Sequence, residues 1–176
     1  LTNDNPIRLP ADIKGKKVRT YGKILGWTVE ALGGAPTLMS GSKQFLAYQQ
    51  KAVDVGMTGA SAVKSRKLYE VMNHMTLSFD SAIEFVAVMN NKFFESLSPQ
   101  NQSIILEASK IVEKELRDQI YTEESAVVEE LRSKMTVTDL SESDRSKWRE
   151  ATGGVISKFI KERGQNAKAV IRAVGK

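Results

Sequence analysis

The sequence predicts an α/β fold, and three observations support this prediction. Short segments rich in strand-forming residues recur along the first half of the chain, at residues 18–21, 36–39 and 53–57. Helices of about ten residues are expected between them, because apolar residues there recur at intervals of three and four. The stretch from 100 to about 135 then contains no glycine or proline. Strands that alternate with helices are typical of a sheet covered by helices.

The elements of the first half follow from local signals. Pro6 and Pro10 indicate an extended connector, and residues 12–15 indicate a turn. A helix is expected over 24–32 from the spacing of its apolar residues. The pair Gly33-Gly34 is expected to end it, as glycine often does. Ser42 is the expected N-cap of a helix that runs to residue 49. A helix over 59–72, broken near Ser65, and two strands at 74–79 and 84–90 complete this half.

The second half has a different character. Ser98 followed by Pro99 is a strong helix start, since serine caps a helix well and proline suits its first position. The breaker-free stretch predicts one helix of about 35 residues, about 50 Å long at 1.5 Å per residue. Its apolar stripe is not a strict heptad, which favours a helix that crosses between two lobes over a coiled-coil arm. A strand at 136–140 follows, then a helix capped by Ser141, a stop at Gly164 and a last helix at 167–174.

Composition excludes several kinds of site. The chain has 176 residues and no cysteine, so it has no disulfide framework, thiol nucleophile or thiolate metal site. His74 is the only histidine, which excludes a site built from several histidines, and it is interpreted as a surface or strand-end residue. No apolar run approaches the roughly 18 residues of a membrane span. No metal and no cofactor are expected.

Charge leaves a second function class open. The net charge is +5, from 26 basic and 21 acidic residues, which is compatible with an anionic ligand or with nucleic acid. A basic helical protein that binds nucleic acid or a partner helix through residues 98–176 is therefore the alternative. Acidic residues along the long helix, from Glu107 to Glu130, would repel phosphate, so no nucleic-acid partner is expected. An enzyme is a third class, but Asp54, Asp80 and Glu84 show no spacing that indicates a catalytic pair.

Five sequence segments occur in an order and spacing that resemble one protein family. They are PADIKGKKVRT, ALGGAPTLM, FLAYQQKAVDVGMTG, KLYEVMNHMTLS and VMNNKFFESLSPQNQSIILEAS. They are similar to segments of the extracytoplasmic solute receptors of tripartite ATP-independent periplasmic (TRAP) transporters, such as DLKGLKIR and LGASPTPM. The resemblance covers roughly residues 11–108 and is mainly architectural beyond them.

The resemblance implies a fold and a domain organisation. Receptors of this family have two α/β lobes joined by crossing strands and a long helix. The chain is then expected to be the C-terminal part, with a mixed sheet flanked by helices and most of the first lobe missing. Residues 1–82 and 123–176 would form the second lobe. Residues 83–122 would give a strand and the first half of the long helix to the other lobe.

The resemblance also implies a binding site for a carboxylate. Arg19 matches the family arginine that pairs with the ligand carboxylate, and it is expected in an open cleft. A guanidinium presents two parallel donors that fit carboxylate geometry. Tyr21, Met57, Thr58, Phe79 and Asp80 are the other expected ligand-binding residues.

Some positions depart from the family pattern. Thr58 replaces the asparagine of the family's DGQENP segment, and Gly41 stands where the family has the aromatic of PFSEVY. The position of a common family histidine falls near Phe79 or Asp80. These changes remove polar groups around the arginine, which favours a ligand less hydroxylated than a sugar acid.

The function implied is binding without catalysis. The protein would capture a small organic acid in the periplasm, after removal of a signal peptide, and deliver it to the membrane components of a TRAP transporter. The strand at 84–90 would pair with the missing lobe or with a second copy of the chain, as a homodimer through an unpaired sheet edge.

Overall fold

The structure, a computed structural model, describes residues 1–79, 81 and 83–174, with the backbone alone for Tyr121. Strands and helices alternate through the first half, and two long helices dominate the second. The elements are β1 (Lys17–Thr20), α1 (Lys23–Ala31), β2 (Ala35–Leu38), α2 (Gln44–Gln49), β3 (Val55–Gly56), α3 (Ala60–Ser65), β4 (His74–Leu77), α4 (Asn91–Ser96), α5 (Pro99–Arg132), β5 (Thr136–Asp139) and α6 (Glu142–Ala173). Three short 3₁₀ helices lie at Pro10–Ile13, Gly41–Lys43 and Leu68–Glu70.

The strands form two small sheets. In one, β1 lies between β2 and β3 and is parallel to both. In the other, β4 and β5 are parallel, and an antiparallel bridge joins Thr2 to His74 at the start of β4. The predicted α/β fold is confirmed.

Two compact units divide the chain, one formed by Leu1–Ser78 with Leu131–Lys176 and the other by Phe79–Glu130. The first unit contains both sheets. A cluster of buried side chains from the connector, β1, α1 and β3 forms its core: Ile7, Ile13, Val18, Val29 and Val55. Trp148 of α6 packs against this cluster, and its indole nitrogen donates a 2.8 Å hydrogen bond to the carbonyl of Arg8.

The second unit consists of α4, most of α5 and the segment before them. The helix α5 is continuous from Pro99 to Arg132, which confirms the predicted long helix. Ser98 begins it as expected, since its hydroxyl accepts a hydrogen bond from the backbone N–H of Asn101. Many of its apolar side chains are exposed, including Ile111 and Leu116, while Leu131 at its end is fully buried. Among the described residues, no helix carries a stretch long and apolar enough to span a membrane.

The predicted strand at 84–90 is absent, which corrects the sequence-based assignment. The described residues from 83 to 90 have no regular secondary structure, and Phe85, Val86 and Val88 are more than four-fifths exposed. A strand exists only where a neighbour accepts and donates its backbone hydrogen bonds. No described part of this chain pairs with the segment. An apolar composition alone is therefore not sufficient to form a strand in this segment.

One predicted helix cap needs correction. Ser42 does not cap α2, because it lies inside the 3₁₀ turn Gly41–Lys43 and its hydroxyl contacts that of Ser40 instead. At Gly164 the backbone leaves helical geometry, with φ 66° and ψ −142°, so two helical segments of α6 meet at a kink there, as the predicted stop at this glycine implied. The short helix α4, capped by the side chain of Asn90, was not predicted.

Candidate functional site

Arg19 occupies the central strand of the three-stranded sheet, close to its carboxyl end. It pairs in register with Thr37 of β2 and Gly56 of β3. Met39 and Met57 directly follow those two strands, and the carboxyl ends of parallel strands lie at the same edge. This edge is where α/β sheets usually bind ligands.

The backbone at this edge fixes the guanidinium of Arg19. Its Nε and Nη2 donate to the carbonyl oxygen of Met39 at 3.1 and 2.9 Å. Its Nη1 donates to the carbonyl oxygen of Met57 at 2.5 Å. A guanidinium has five N–H donors, so two of them have no acceptor among the described residues.

The surroundings of Arg19 are unusual for a cation. The residue is only 4% exposed, which corrects the expectation of a guanidinium in an open cleft. Burial lowers the pKa of Arg19, and the neighbouring Arg66 lowers it further. Its described partners are neutral: two carbonyls and the ring of Tyr21, whose centre lies 5.1 Å from the guanidinium carbon. Within residues 1–79, 81 and 83–174, no carboxylate forms a salt bridge with it.

A buried tyrosine lies beside this arginine. Tyr48 of α2 is 1% exposed, and its hydroxyl donates a 2.7 Å hydrogen bond to the side-chain carbonyl of Gln44, one helical turn earlier. Burial raises the pKa of Tyr48, while Arg19 and Arg66 act in the opposite direction. The ring is therefore a neutral, fixed wall beside the guanidinium.

The other predicted site residues are only partly brought together. Tyr21 lies against Arg19, and Thr58 is half-buried and follows Met57 directly. Met57 contributes its carbonyl to Arg19, while its side chain packs against the core cluster. Phe79 belongs to the other compact unit and is 76% exposed. Asp80 lies outside the described residues.

The sequence did not indicate four residues at this edge: Met39, Gln44, Tyr48 and Arg66. The spacing of Gln44 and Tyr48, four apart on one helix, was an available signal for their hydrogen bond. Met39 contributes only its backbone carbonyl, and every residue type has one, so the sequence could not indicate this role. No group of three or more histidines, acidic residues or cysteines within the described ranges is placed to hold a metal ion.

The fold and the arginine at its sheet edge are typical of a ligand-binding α/β lobe. A family model described as bacterial extracellular solute-binding protein, family 7, matches residues 1–163. The chain belongs to this family, which comprises the solute receptors of TRAP transporters, as its sequence predicted. Membership also confirms the predicted periplasmic location. Proteins of this family take part in transport and are not enzymes.

Individual relatives agree with this assignment. The ectoine-binding periplasmic protein TeaA of Halomonas elongata is 25% identical over 97% of this chain and 51% of its own length. The C4-dicarboxylate-binding periplasmic protein DctP of Shewanella loihica is 26% identical over 92% of this chain and 49% of its own length.

A solved structure gives the same picture. A TRAP periplasmic solute-binding protein from Shewanella oneidensis, crystallised with bound succinate, matches with a TM-score of 0.85 at 25% identity. The match covers 99% of this chain and 58% of that one. The chain thus spans about half the length of the relatives it matches.

Proposed function

We propose that this chain is the carboxylate-binding part of a periplasmic receptor that captures a small organic acid and delivers it to the membrane components of a TRAP transporter. The observation that carries the proposal is the state of Arg19: a buried guanidinium with two uncommitted donors and no described carboxylate partner. A buried charge is costly unless it is paired. A ligand carboxylate would supply that missing pair.

The neighbouring residues have defined roles in this proposal. The carbonyls of Met39 and Met57 hold the guanidinium in one orientation before ligand arrives, so little freedom is lost on binding. Tyr21 and Thr58 provide an aromatic face and a hydroxyl beside it. Met57, Phe79 and Asp80 remain predicted contacts. The relatives whose names refer to C4-dicarboxylates, and the neighbour crystallised with succinate, support an acidic ligand.

The predicted domain organisation belongs to the same proposal. Residues 1–82 with 123–176 would form the second lobe, and residues 83–122 would contribute to the first. The two compact units support this division, although the boundary between them falls after Glu130 rather than after residue 122. The exposed apolar side chains at Phe85, Val86 and Val88 favour a partner for that segment, either the first lobe or a second copy of the chain.

Two measurements on the intact protein test the function. Mass spectrometry of small molecules released from natively purified protein should identify a carboxylic acid. Titration of that acid should show a loss of affinity on the order of ten- to a hundredfold or more in Arg19→Ala, because charge-assisted hydrogen bonds contribute about 1.5–3 kcal/mol. Equal affinities in wild type and a folded Arg19→Ala variant would remove Arg19 from the site and contradict the proposal.

A further inference from the structure

Positive charge collects in the last turns of α6. Four exposed basic residues lie there: Lys161, Arg163, Lys168 and Arg172. Glu162 is the only acidic residue from position 161 onward, and it pairs with Lys23 of α1 at 2.8 Å. Its charge is therefore already balanced within the protein. The basic segment, defined here as residues 161–172, presents four positive charges that no free acidic neighbour in the segment offsets.

Lys158 of α6 is paired within the protein, whereas two basic residues after the kink are not. Lys158 contacts Glu30 of α1 at 3.5 Å and lies over the ring of Trp27, 4.8 Å from its centre. In the part of the chain that the structure describes, no carboxylate forms a salt bridge with Lys168 or Arg172. These two charges are therefore available to a partner outside the chain.

The kink at Gly164 separates the end of the basic segment from the rest of α6. Its φ of 66° suits glycine, which has no Cβ. Beyond the kink, Ala167 is 1% exposed and Ile171 is half-buried, so this side of the helix holds the segment on the protein. Each residue advances about 100° round a helix, so Lys168 and Arg172, four positions apart, share a different side. That side faces solvent.

A layer of anionic lipid headgroups fits this pattern better than a folded acidic protein does. Tight protein interfaces are built round buried anchors such as tryptophan and tyrosine, and no aromatic residue follows Phe159. Four basic residues spread over the basic segment suit a diffuse layer of negative charge instead. About four to eight lysines and arginines are enough to attract a protein to an anionic bilayer. The periplasmic location of the family brings the protein close to a membrane surface.

We propose that the basic segment binds the anionic lipid headgroups of the membrane surface. Arginine would donate paired hydrogen bonds to headgroup phosphates, and lysine would contribute a point charge. Such binding raises the local concentration of the receptor beside the membrane components of its transporter. The matched family model ends at residue 163, so family membership predicts no role for residues 164–174. Lys168 and Arg172 lie outside the candidate site, so the proposed function does not depend on this contact.

The test is flotation of the intact protein with vesicles of equal parts phosphatidylglycerol and phosphatidylcholine, or of phosphatidylcholine alone. At low ionic strength, wild type should float with the anionic vesicles and not with the neutral ones. Flotation should disappear at about 0.5 M salt, where charges are screened within a few ångströms. Lys168→Gln combined with Arg172→Gln should weaken binding on the order of ten- to thirtyfold, because each basic residue near such a surface contributes about fivefold.

A matched control removes the same charge from another part of the chain. Lys14→Gln combined with Lys17→Gln lowers the net charge by two at exposed lysines outside the basic segment. This variant should weaken binding by less than about threefold, since charges away from the contact are screened. Equal urea midpoints establish that both double variants are folded.

Three results would overturn the inference. They are no flotation of wild type with anionic vesicles at low ionic strength, equal flotation with both kinds of vesicle, or an equal loss in the two double variants. The last result would mean that net charge, and not the basic segment, drives adsorption. None of them bears on whether Arg19 holds the ligand, which the titration of Arg19→Ala tests separately.

Discussion

A Cβ atom on Gly56 would lie 2.3 Å from the hydroxyl oxygen of Tyr48 and 2.5 Å from its Cζ. The tyrosine ring therefore occupies the volume that any side chain at position 56 would need. Gly56 is also the β3 residue paired with Arg19, so the same close contact brings a fixed aromatic wall up to the guanidinium.

The first prediction follows from this contact. Gly56→Ala should destabilise the intact protein by about 1–3 kcal/mol, because the ring of Tyr48 is buried and held by Gln44 and cannot move aside freely. Urea unfolding measures the difference. The matched control is Gly26→Ala in α1, whose Cβ would meet Pro36 at an ordinary 3.8 Å and should stabilise the helix by about 0.5–1 kcal/mol. An unchanged midpoint for Gly56→Ala would show that Tyr48 is not fixed there.

The second prediction distinguishes charge from geometry at position 19. Arg19→Lys should recover only part of the affinity lost in Arg19→Ala, because an ammonium is a point charge without a two-pronged edge. The lysine would also lack the planar group that bonds to Met39 and Met57 together. Calorimetric titration with the identified acid measures the three affinities. Full recovery in the lysine variant would mean that the arginine contributes charge alone.

The third prediction concerns the start of α6, where Asp144 is almost buried. Hydrogen bonds from Ser141 and Arg8 hold the pKa of Asp144 below its ordinary value. A lowered folded-state pKa stabilises the protein above the unfolded-state value of about 3.9. That stabilisation is lost as the pH falls through the folded-state pKa. Asp144→Asn should therefore unfold more easily than wild type near neutral pH, with the difference shrinking in strong acid.

Urea midpoints between about pH 7 and about pH 3 provide the measurement. Asp139→Asn is the control, because it removes a carboxylate from an exposed pair with Arg132, and such pairs contribute little. A difference between wild type and Asp144→Asn that stays constant across the range would contradict the role given to ionised Asp144.

The fourth prediction concerns the apolar segment from 83 to 90. If the first lobe or a second copy supplies its partner, its amides should exchange slowly with deuterium in the intact protein, as slowly as those of β4. Exchange that speeds up on dilution, together with a falling mass in light scattering, would identify a second copy as the partner. Fast exchange at every concentration would contradict the proposal that the segment has a partner at all.

Local signals were sufficient for most of the secondary structure. The Ser-Pro start and the lack of breakers specified α5, and the hydroxyl of Ser141 caps α6 as predicted. These features depend on residues within a few positions of one another, so the sequence displays them directly. The resemblance of the segments around Arg19 and Thr58 was likewise sufficient to predict the family.

Contacts between distant residues were not predictable in this way. The segment from 83 to 90 has the composition of a strand, but a strand also needs a neighbour, and none is present in the described chain. The sequence predicted Arg19 as a site residue, yet the burial of Arg19 and its bonds to two backbone carbonyls depend on how β2 and β3 flank β1.

The sequence by itself determined the α/β class, the family and the long helix, and it predicted the arginine of the candidate site. Only the tertiary structure decided what surrounds that arginine. In the sequence, Gly41 is noticed only because the family has an aromatic residue at that position. Arg66 is one basic residue among 26. The guanidinium of Arg66 lies against Gly41, because α3 ends where its last turn directs Arg66 over the loop after β2. Packing between elements 25 positions apart is set by the whole sheet, and residue type alone does not encode it.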